Sequence, residues 1–455
     1  MAATLSTTVI NAILPKLIED GRNLIVAQSR FFQEMDKVKK VNKINPGGAY
    51  TPYQVSENNT AFGVAEGGPI LTGAAPEFAM GVVQLRQHWS SMNWTGSVER
   101  ISNEVLTQFK ADPTYEGKSV AHLTNNQLTR LAQNEAVRQV VDSTLKMYAR
   151  RENYFALQGT DKSAIGVMTA NIAGAGLQFS WDTTLQGNRM FSKDQQIQIF
   201  SPGGVQRVAG LATIGSSKYN TVLSVDDSAA SGATGPVTLA EAGPTDAVTG
   251  DTVVFRNSYG LMPQGFIYYV DDTGTYKGIT RSTNPKLFSS VINRLTGTPS
   301  ISPAHIRETL SLMESKMGYG VPFQMQIWLN KTQTYNWESQ VYQSPFVRNI
   351  GPGKVTGVDM AVGEMYWDGH KFMTDPDVPP GHVNFVNFLT WRKIVQTPTQ
   401  PYQFDSGSYV VNPLNSYGER LDSRQSTIFS EYNWDCVDPR SNGRIEGLAY
   451  NRIHI

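Results

Sequence analysis

Residues 44–96 constrain the fold most. Tyr50-Thr-Pro-Tyr-Gln-Val55 is extended by composition, with aromatic, Thr and Val side chains around a proline that a helix interior rejects. Gly63, Gly67, Gly68, Pro69 and Gly73 then punctuate the chain. After Pro76, Val83, Leu85 and Trp89 recur at even spacing, a strand period that runs on to Trp94. The pattern predicts a long two-stranded arm with a Gly-rich tip. Fully extended, its outgoing limb from Ala49 to Glu66 reaches roughly 60 Å at ~3.3 Å per residue. A lone ribbon of two strands is marginal in water. A structureless loop beyond ~12–15 residues is uncommon inside a compact domain. Phe62, Phe78, Trp89 and Trp94 are also too apolar for a free linker. The arm therefore lies on something: a partner surface, the simpler solution, or an ordinary sheet of its own chain.

The rest of the chain supplies a body for such an arm. Val9, Ile10, Ile13, Leu14, Leu17 and Ile18 have helical spacing, interrupted at Pro15 and ended by Gly21. Leu24, Ile25, Phe31 and Phe32 continue it, and a basic cluster of Lys37, Lys39, Lys40 and Lys43 follows. No Gly or Pro occurs from Thr124 to Gln158, and Gly159 stands where a C-cap belongs. This predicts a helix of roughly 50 Å, with Leu128, Leu131, Ala132, Ala136, Val140, Thr144 and Met147 in one stripe and Val137, Val141, Leu145 and Tyr148 beside it. Its heptads are not sustained, so it reads as a spine on a sheet. Residues 190–275 are β-like, with candidate strands Gln195–Phe200, Val205–Leu211, Thr221–Val225, Asp251–Arg256 and Gly265–Val270, and look like an inserted module. Ser302, Pro303 and Gly318 bracket a second helix with Ile306, Leu310, Met313 and Met317 on one face. The strand Phe323–Leu329 follows, and aromatic strands alternate with turns from Val383 to the end.

Composition narrows the function. At 455 residues the chain holds about three domains' worth of sequence. The 39 basic and 39 acidic residues cancel, which argues against a dedicated nucleic-acid binder. Only 17% of residues are charged, below the roughly 25% of a typical domain. The surface is either polar but uncharged or buried against other copies. A single cysteine, Cys436, excludes an intrachain disulfide framework. No signal peptide and no membrane-spanning stretch is visible.

Motifs for chemistry are sparse. There is no P-loop, no dinucleotide fingerprint and no nucleophile elbow. Cys436 reads as a small core residue. The cluster Asp368-Gly-His370-Lys-Phe-Met-Thr-Asp375-Pro-Asp377-Val-Pro-Pro-Gly-His382 contains metal-ligand types at no recognised spacing, and it also suits ordinary turns. His88, His122, His305 and His454 are scattered without pairing. The expectation is a non-enzyme without a cofactor whose business is association.

The order of these pieces, with the arm tip Val55-Ser-Glu-Asn-Asn-Thr-Ala-Phe-Gly-Val-Ala-Glu66-Gly-Gly-Pro69, the run Tyr276-Lys-Gly-Ile-Thr-Arg-Ser-Thr-Asn-Pro285 and the closing Gly447-Leu-Ala-Tyr450, resembles the major capsid protein of tailed bacteriophages, the Hong Kong 97 fold. The resemblance implies an α+β chain divided into an N-terminal arm (1–43), an E-loop (44–97), a first part of the P domain (98–189) with spine helix 124–158, a β-rich insertion (190–275), a P-domain connection (276–296), an A domain (297–390) and C-terminal strands returning to the P domain (391–455). It implies hexamers and pentamers in an icosahedral shell around double-stranded DNA, located in the virion capsid after assembly in the host cytoplasm. Portal and scaffolding proteins would be partners, with or without a cement protein, and no membrane is involved. Tyr50, Tyr53, Phe62, Phe78, Trp89 and Trp94 would make the inter-subunit contacts of the E-loop, and Lys37, Lys39, Lys40 and Lys43 would meet DNA nonspecifically or a neighbour.

Two departures qualify the resemblance. Some members join subunits through an E-loop lysine, but no Lys lies between Ile44 and Phe109, so a noncovalent shell is expected. Some carry a cleaved N-terminal scaffold, but here the amphipathic stretch starts by Val9, so a separate scaffold, or none, is expected. Competing readings are an encapsulin-like nanocompartment shell, a metal-dependent hydrolase using His370, His382 and Asp375, and a β-rich adhesin, which lacks the signal peptide it would need.

Overall fold

A computed structural model describes residues 29–42, 49–54, 78–95, 136–168, 178–179, 190–209, 218–225, 237–343, 360–413 and 421–449, less residues 284, 319, 321–324, 362–363, 368 and 422. The first helix, α1 (Arg30–Lys37), buries Phe31, Phe32 and Met35. It runs into β1 (Lys39–Asn42). Among the described residues the ribbon strands β2 (Ala49–Gln54) and β3 (Phe78–Val83) pair only with each other, in register from Ala49↔Val83 to Gln54↔Phe78. After two residues the chain enters β4 (Arg86–Thr95), which pairs with the C-terminal part of the chain from Arg86↔Tyr432 to Thr95↔Ser423. The even spacing from Val83 to Trp94 therefore spans two sheets. The return limb of the arm stops at Val83, and Trp89 and Trp94 belong to the body.

The spine helix α2 (Ala136–Gln158) covers the second part of the expected helix; residues 124–135 lie outside the described residues. It buries the neighbouring stripe, Val141, Leu145 and Tyr148, and leaves Met147 exposed. The β-rich module follows with β5 (Gly166–Val167), β6 (Gln178–Phe179), β7 (Gln196–Phe200), β8 (Asn220–Val225), β9 (Val237–Leu239) and β10 (Thr252–Phe255), in the sheet order β5-β10-β7-β8-β9-β6. Val205–Leu211, expected as a strand, contributes a single bridge, Phe200↔Gln206, and residues 210–211 lie outside the described residues. Gly265–Val270, also expected as a strand, is a helical turn, α3 (Phe266–Tyr269). Docking overrides the β propensity of its aromatic residues here. The Gly265 N–H donates to Gly159 O at 2.9 Å, and the Tyr269 hydroxyl donates to Trp434 O at 2.6 Å.

A small hairpin of β11 (Thr275–Tyr276) and β12 (Ile279–Thr280) turns through Lys277 and Gly278, with φ of 52° and 85°. Two left-handed residues are what a type I′ turn requires. Next come α4 (Pro285–Phe288), β13 (Val291–Arg294) and α5 (Pro303–Met317). The Ser302 hydroxyl accepts from His305 N, and Gly318 closes α5 in the left-handed region with φ 76°, as the sequence predicts. The remaining elements are β14 (Gln326–Leu329), α6 (Lys331–Gln343), β15 (Met360–Ala361), β16 (Glu364–Trp367), β17 (His370–Thr374), β18 (Val383–Val386), β19 (Trp391–Pro401), β20 (Ser423–Cys436) and β21 (Gly443–Glu446).

Two further sheets organise these elements. A four-stranded sheet has the order β1-β19-β20-β4, and a seven-stranded sheet has the order β13-β21-β18-β14-β17-β16-β15. The last strand thus joins the same sheet as β14 and not the sheet of β19 and β20. Around the four-stranded sheet an aromatic core gathers Phe31, Phe32, Trp328, Trp391 and Trp434 from sequence positions far apart. A second core joins Tyr154 and Phe155 of the spine to the β-rich module, and a third packs α5 and Trp337 on the seven-stranded sheet. No helix among the described residues is long and apolar enough to cross a membrane.

The spine and α3 meet without room for a side chain. A Cβ at Gly265 would lie 2.0 Å from Phe155 O. Gly265→Ala should therefore lower stability by about 1–3 kcal/mol or more. Gly203→Ala, whose Cβ would meet nothing nearer than 3.8 Å, should shift it by less than about 0.5 kcal/mol. Urea midpoints of the two variants check this, and equal losses would contradict it.

Candidate functional site

The ribbon β2–β3 is the feature whose chemistry the body does not complete. Strand alternation gives it two faces. On one face Ala49 and Val83 are buried against Ile394. Tyr53, on the same face, meets Tyr276 at 5.7 Å and Phe288 at 6.1 Å between ring centroids. Gly81 lies under the Tyr53 ring, where a Cβ would come within 2.6 Å of it. On the other face Tyr50, Phe78 and Met80 are 55%, 66% and 60% exposed, beside exposed Pro52 and half-buried Val82. Apart from Gln54, opposite Phe78, the residues of this outer face are apolar over its described length. Covering one such side chain completely is worth about 1.5–3 kcal/mol.

The anchor of the ribbon is Lys277. Its left-handed backbone turns its carbonyl to accept from Val82 N at 3.1 Å. Its ammonium is 4.6 Å from the Tyr53 ring centroid and 4.9 Å from that of Tyr276, close enough for cation–π attraction. It also pairs with the buried Asp435 carboxylate, which Arg392 reaches from the other side, and it donates to the Tyr53 hydroxyl. A charge this deeply buried is tolerable only with such partners. Burial, with Asp435 nearby, holds the hydroxyls of Tyr269 and Tyr276 well above the usual phenol range, so they stay protonated donors.

The expected contact residues divide accordingly. Tyr50 and Phe78 lie on the bare face, Tyr53 is part of the anchor, and Phe62 lies outside the described residues. Trp94 is 2% exposed and Trp89 packs on Phe429 and Tyr402 at 4.3 and 5.0 Å. β4 is in the body sheet, so neither belongs to the arm: its own chain covers Trp94 fully, which corrects the expected contact, whereas Trp89 is covered on one side and remains 42% exposed. Met80 and Lys277 escaped the sequence reading. The alternation Phe78, Met80, Val82 was the available signal for Met80; nothing local marks Lys277.

The basic cluster is not a loose charge run. Lys37 pairs with Glu34 at 2.7 Å and Lys40 with Asp36 at 2.9 Å, while Lys39 and Lys40 lie in β1, paired with Arg392 and Lys393. Lys43 is outside the described residues. Buried Lys393 sits over the rings of Phe32, Tyr432 and Trp434 and bonds Asp36 at 2.9 Å. Burial works to raise the Asp36 pKa, but Lys393 and Lys40 outweigh it and hold the carboxyl below its ordinary 3.8.

Two carboxylates of the expected metal cluster, Asp375 and Asp377, are already engaged, and Asp368 lies outside the described residues. Asp375 accepts from Phe31 N at 3.1 Å, from Asn153 at 3.0 Å and from Asp377 N at 2.8 Å. It thereby fixes the start of α1 to the spine. Among the described residues no three His, Cys, Asp or Glu side chains form a group able to hold a metal. Cys436 is fully buried, and burial pushes its thiol far up. His88, read as solitary, is buried against Glu152 and stacked on Tyr148 at 4.6 Å.

No protein-family model and no curated protein matches this chain. Solved structures do resemble it. A chain of the cyanophage A-1(L) capsid asymmetric unit is 10% identical, with 92% of each chain covered and a TM-score of 0.47. A chain of Mycobacterium phage Patience is 10% identical over 96% of this chain and 90% of that one, with a TM-score of 0.40. The holo-SrpI encapsulin complex from Synechococcus elongatus PCC 7942 is 6% identical over 94% and 91%, with a TM-score of 0.37. Phage capsid chains are thus among the structures to which this mixed helix-and-strand chain is similar. The functional reading rests on the ribbon.

The Asp36–Lys393 pair generates a pH prediction. A carboxyl depressed in the folded state contributes stability above its ordinary pKa and loses it as pH falls through the lower folded value. Stability should therefore drop as pH falls below about 3.8, and Asp36→Asn should flatten that part of the curve. Denaturant midpoints between pH 5 and pH 2 (roughly that window) measure it; an unchanged slope would contradict the pairing.

Proposed function

We propose that this chain is the major capsid protein of a tailed bacteriophage, a structural and non-enzymatic subunit that self-assembles into an icosahedral shell around double-stranded DNA. The observation that carries the reading is the ribbon, anchored on one face and apolar and bare on the other. A monomer gains nothing from exposing Tyr50, Phe78 and Met80 together. A neighbour that covers them completes the fold of the arm. Each subunit then gives one such contact and receives another, a heterologous interface that closes into rings, here hexamers and pentamers. Contacts repeated around every subunit make loss of a single copy improbable. The low charge content suits side surfaces that are desolvated in the shell. A balanced net charge suits a container that encloses DNA without gripping it. Lys37, Lys39, Lys40 and Lys43 remain proposed contacts to DNA or to a neighbour, and portal and scaffolding proteins remain proposed partners.

The arm should be dispensable for the subunit and indispensable for the shell. Deleting Glu57–Leu71 should leave a soluble, folded chain that forms no closed particles by electron microscopy. Phe78→Ser combined with Met80→Ser should weaken assembly in the same direction. Because the arm has no lysine, denaturing gels of particles should show only the 50.2 kDa chain. Normal shells from the deletion would remove the assigned role of the arm, and a ladder of higher species would remove the noncovalent reading.

A further inference from the structure

The β-rich module joins the rest of the chain at one point. The chain enters it after Gly159, at the end of the spine, and leaves it at Gly265, where α3 begins. These two glycines are bonded to each other, Gly265 N donating to Gly159 O at 2.9 Å. The 105 residues between them, 160–264, thus start and finish within one hydrogen bond of each other. Chain ends that lie together, on a unit of roughly 50–250 residues with its own core, are what insertion of one domain into another requires.

The module has such a core. All six strands of its sheet come from residues 166–255, and among the described residues none pairs with a strand of the body. Its buried apolar side chains run from Ile165 to Met262, and Tyr154 and Phe155 of the spine are the two added from outside. Arg207 and Asp251 pair within it at 2.8 Å. The described seam to the body is narrow. The Tyr154 hydroxyl donates to Ala164 O at 3.2 Å, and the Arg151 guanidinium lies 4.4 Å from the centroid of the Phe255 ring. Gln264 exchanges hydrogen bonds with Asn433 at 2.8 and 3.2 Å. The groups that fasten the ribbon, Tyr53, Tyr276, Lys277, Arg392 and Asp435, all lie outside the module.

We infer that residues 160–264 are a separately folding domain clasped to the spine at Gly159 and Gly265, and that the body builds the shell without its help. These bounds differ from the 190–275 expected from the sequence: 160–189 go with the module, whereas Phe266, Tyr269 and Val270 pack in the aromatic core of the body. Separate folding is independent of the shell reading above; sufficiency of the body for assembly rests on it.

Hydrogen exchange on the full-length chain tests the separation. Val253 is fully buried in the module and Ile394 in the body. Val253→Ala should lower the protection of amides in 166–255 by about tenfold or more, with less than about a threefold change in β19 and β20. Val253→Asp, which buries a charge, should abolish protection in 166–255 and still spare β19 and β20. Ile394→Ala should do the reverse. Matched losses in the two regions from these variants would overturn the separate domain. Full-length Val253→Ala and Val253→Asp chains should both still close into particles by electron microscopy. Loss of particles from both, with β19 and β20 protected, would overturn the sufficiency of the body. If the unaltered chain forms no particles either, the shell reading fails, and the exchange pattern alone decides the separate domain.

Discussion

A two-stranded ribbon cannot hold itself up in water, and everything distinctive about this molecule follows from how that is solved. One side of the ribbon is fastened to the body by a buried ammonium. Lys277 reaches Tyr53 of the ribbon, Asp435 of the four-stranded sheet and, through its carbonyl, Val82. The hairpin that presents Lys277 turns through two left-handed residues, which Gly278 adopts freely and Lys277 adopts while held by its partners. Burying that charge is costly, and only the convergence of a carboxylate, a hydroxyl and two aromatic faces offsets it. The ribbon is thereby aimed, and its apolar far side is left to be covered by something else.

The body is built to bear that load. The four-stranded sheet receives strands from residues 39–42, 86–95, 391–401 and 423–436, so the two ends of the described chain are woven together at the base of the arm. Asp375 ties α1 to the spine through Phe31 and Asn153. Aromatic side chains from four distant segments fill the space between.

Parts of this were legible in the sequence because their determinants are local. Ser302, Pro303 and Gly318 bound α5 through capping chemistry that does not depend on the rest of the molecule. The extended limb at Tyr50–Gln54 followed from Pro52 and its aromatic neighbours. Other parts depend on contacts made at a distance. Phe266–Tyr269 has the composition of a strand but is wound into a turn, because Gly265 must sit against the end of the spine. Trp94 looked like an arm residue because the strand period continues through Gln84 and Leu85, where the chain changes sheets. Of the spine's two adjacent apolar stripes, only packing could say which faces inward; the sheet takes Val141, Leu145 and Tyr148. Of the bare face of the ribbon, Tyr50 and Phe78 were legible as apolar residues of an extended limb. Lys277 was not, since nothing near residue 277 signals a partner more than two hundred residues away.

The central claim is that the outer face of the ribbon is completed by another copy of the chain. High-resolution electron microscopy of assembled particles tests it most directly. The account predicts density in which a neighbouring subunit covers Tyr50, Phe78 and Met80 while Tyr53 remains on Lys277 of its own chain. A particle in which that face stays open to solvent, or is covered by its own chain, would contradict it.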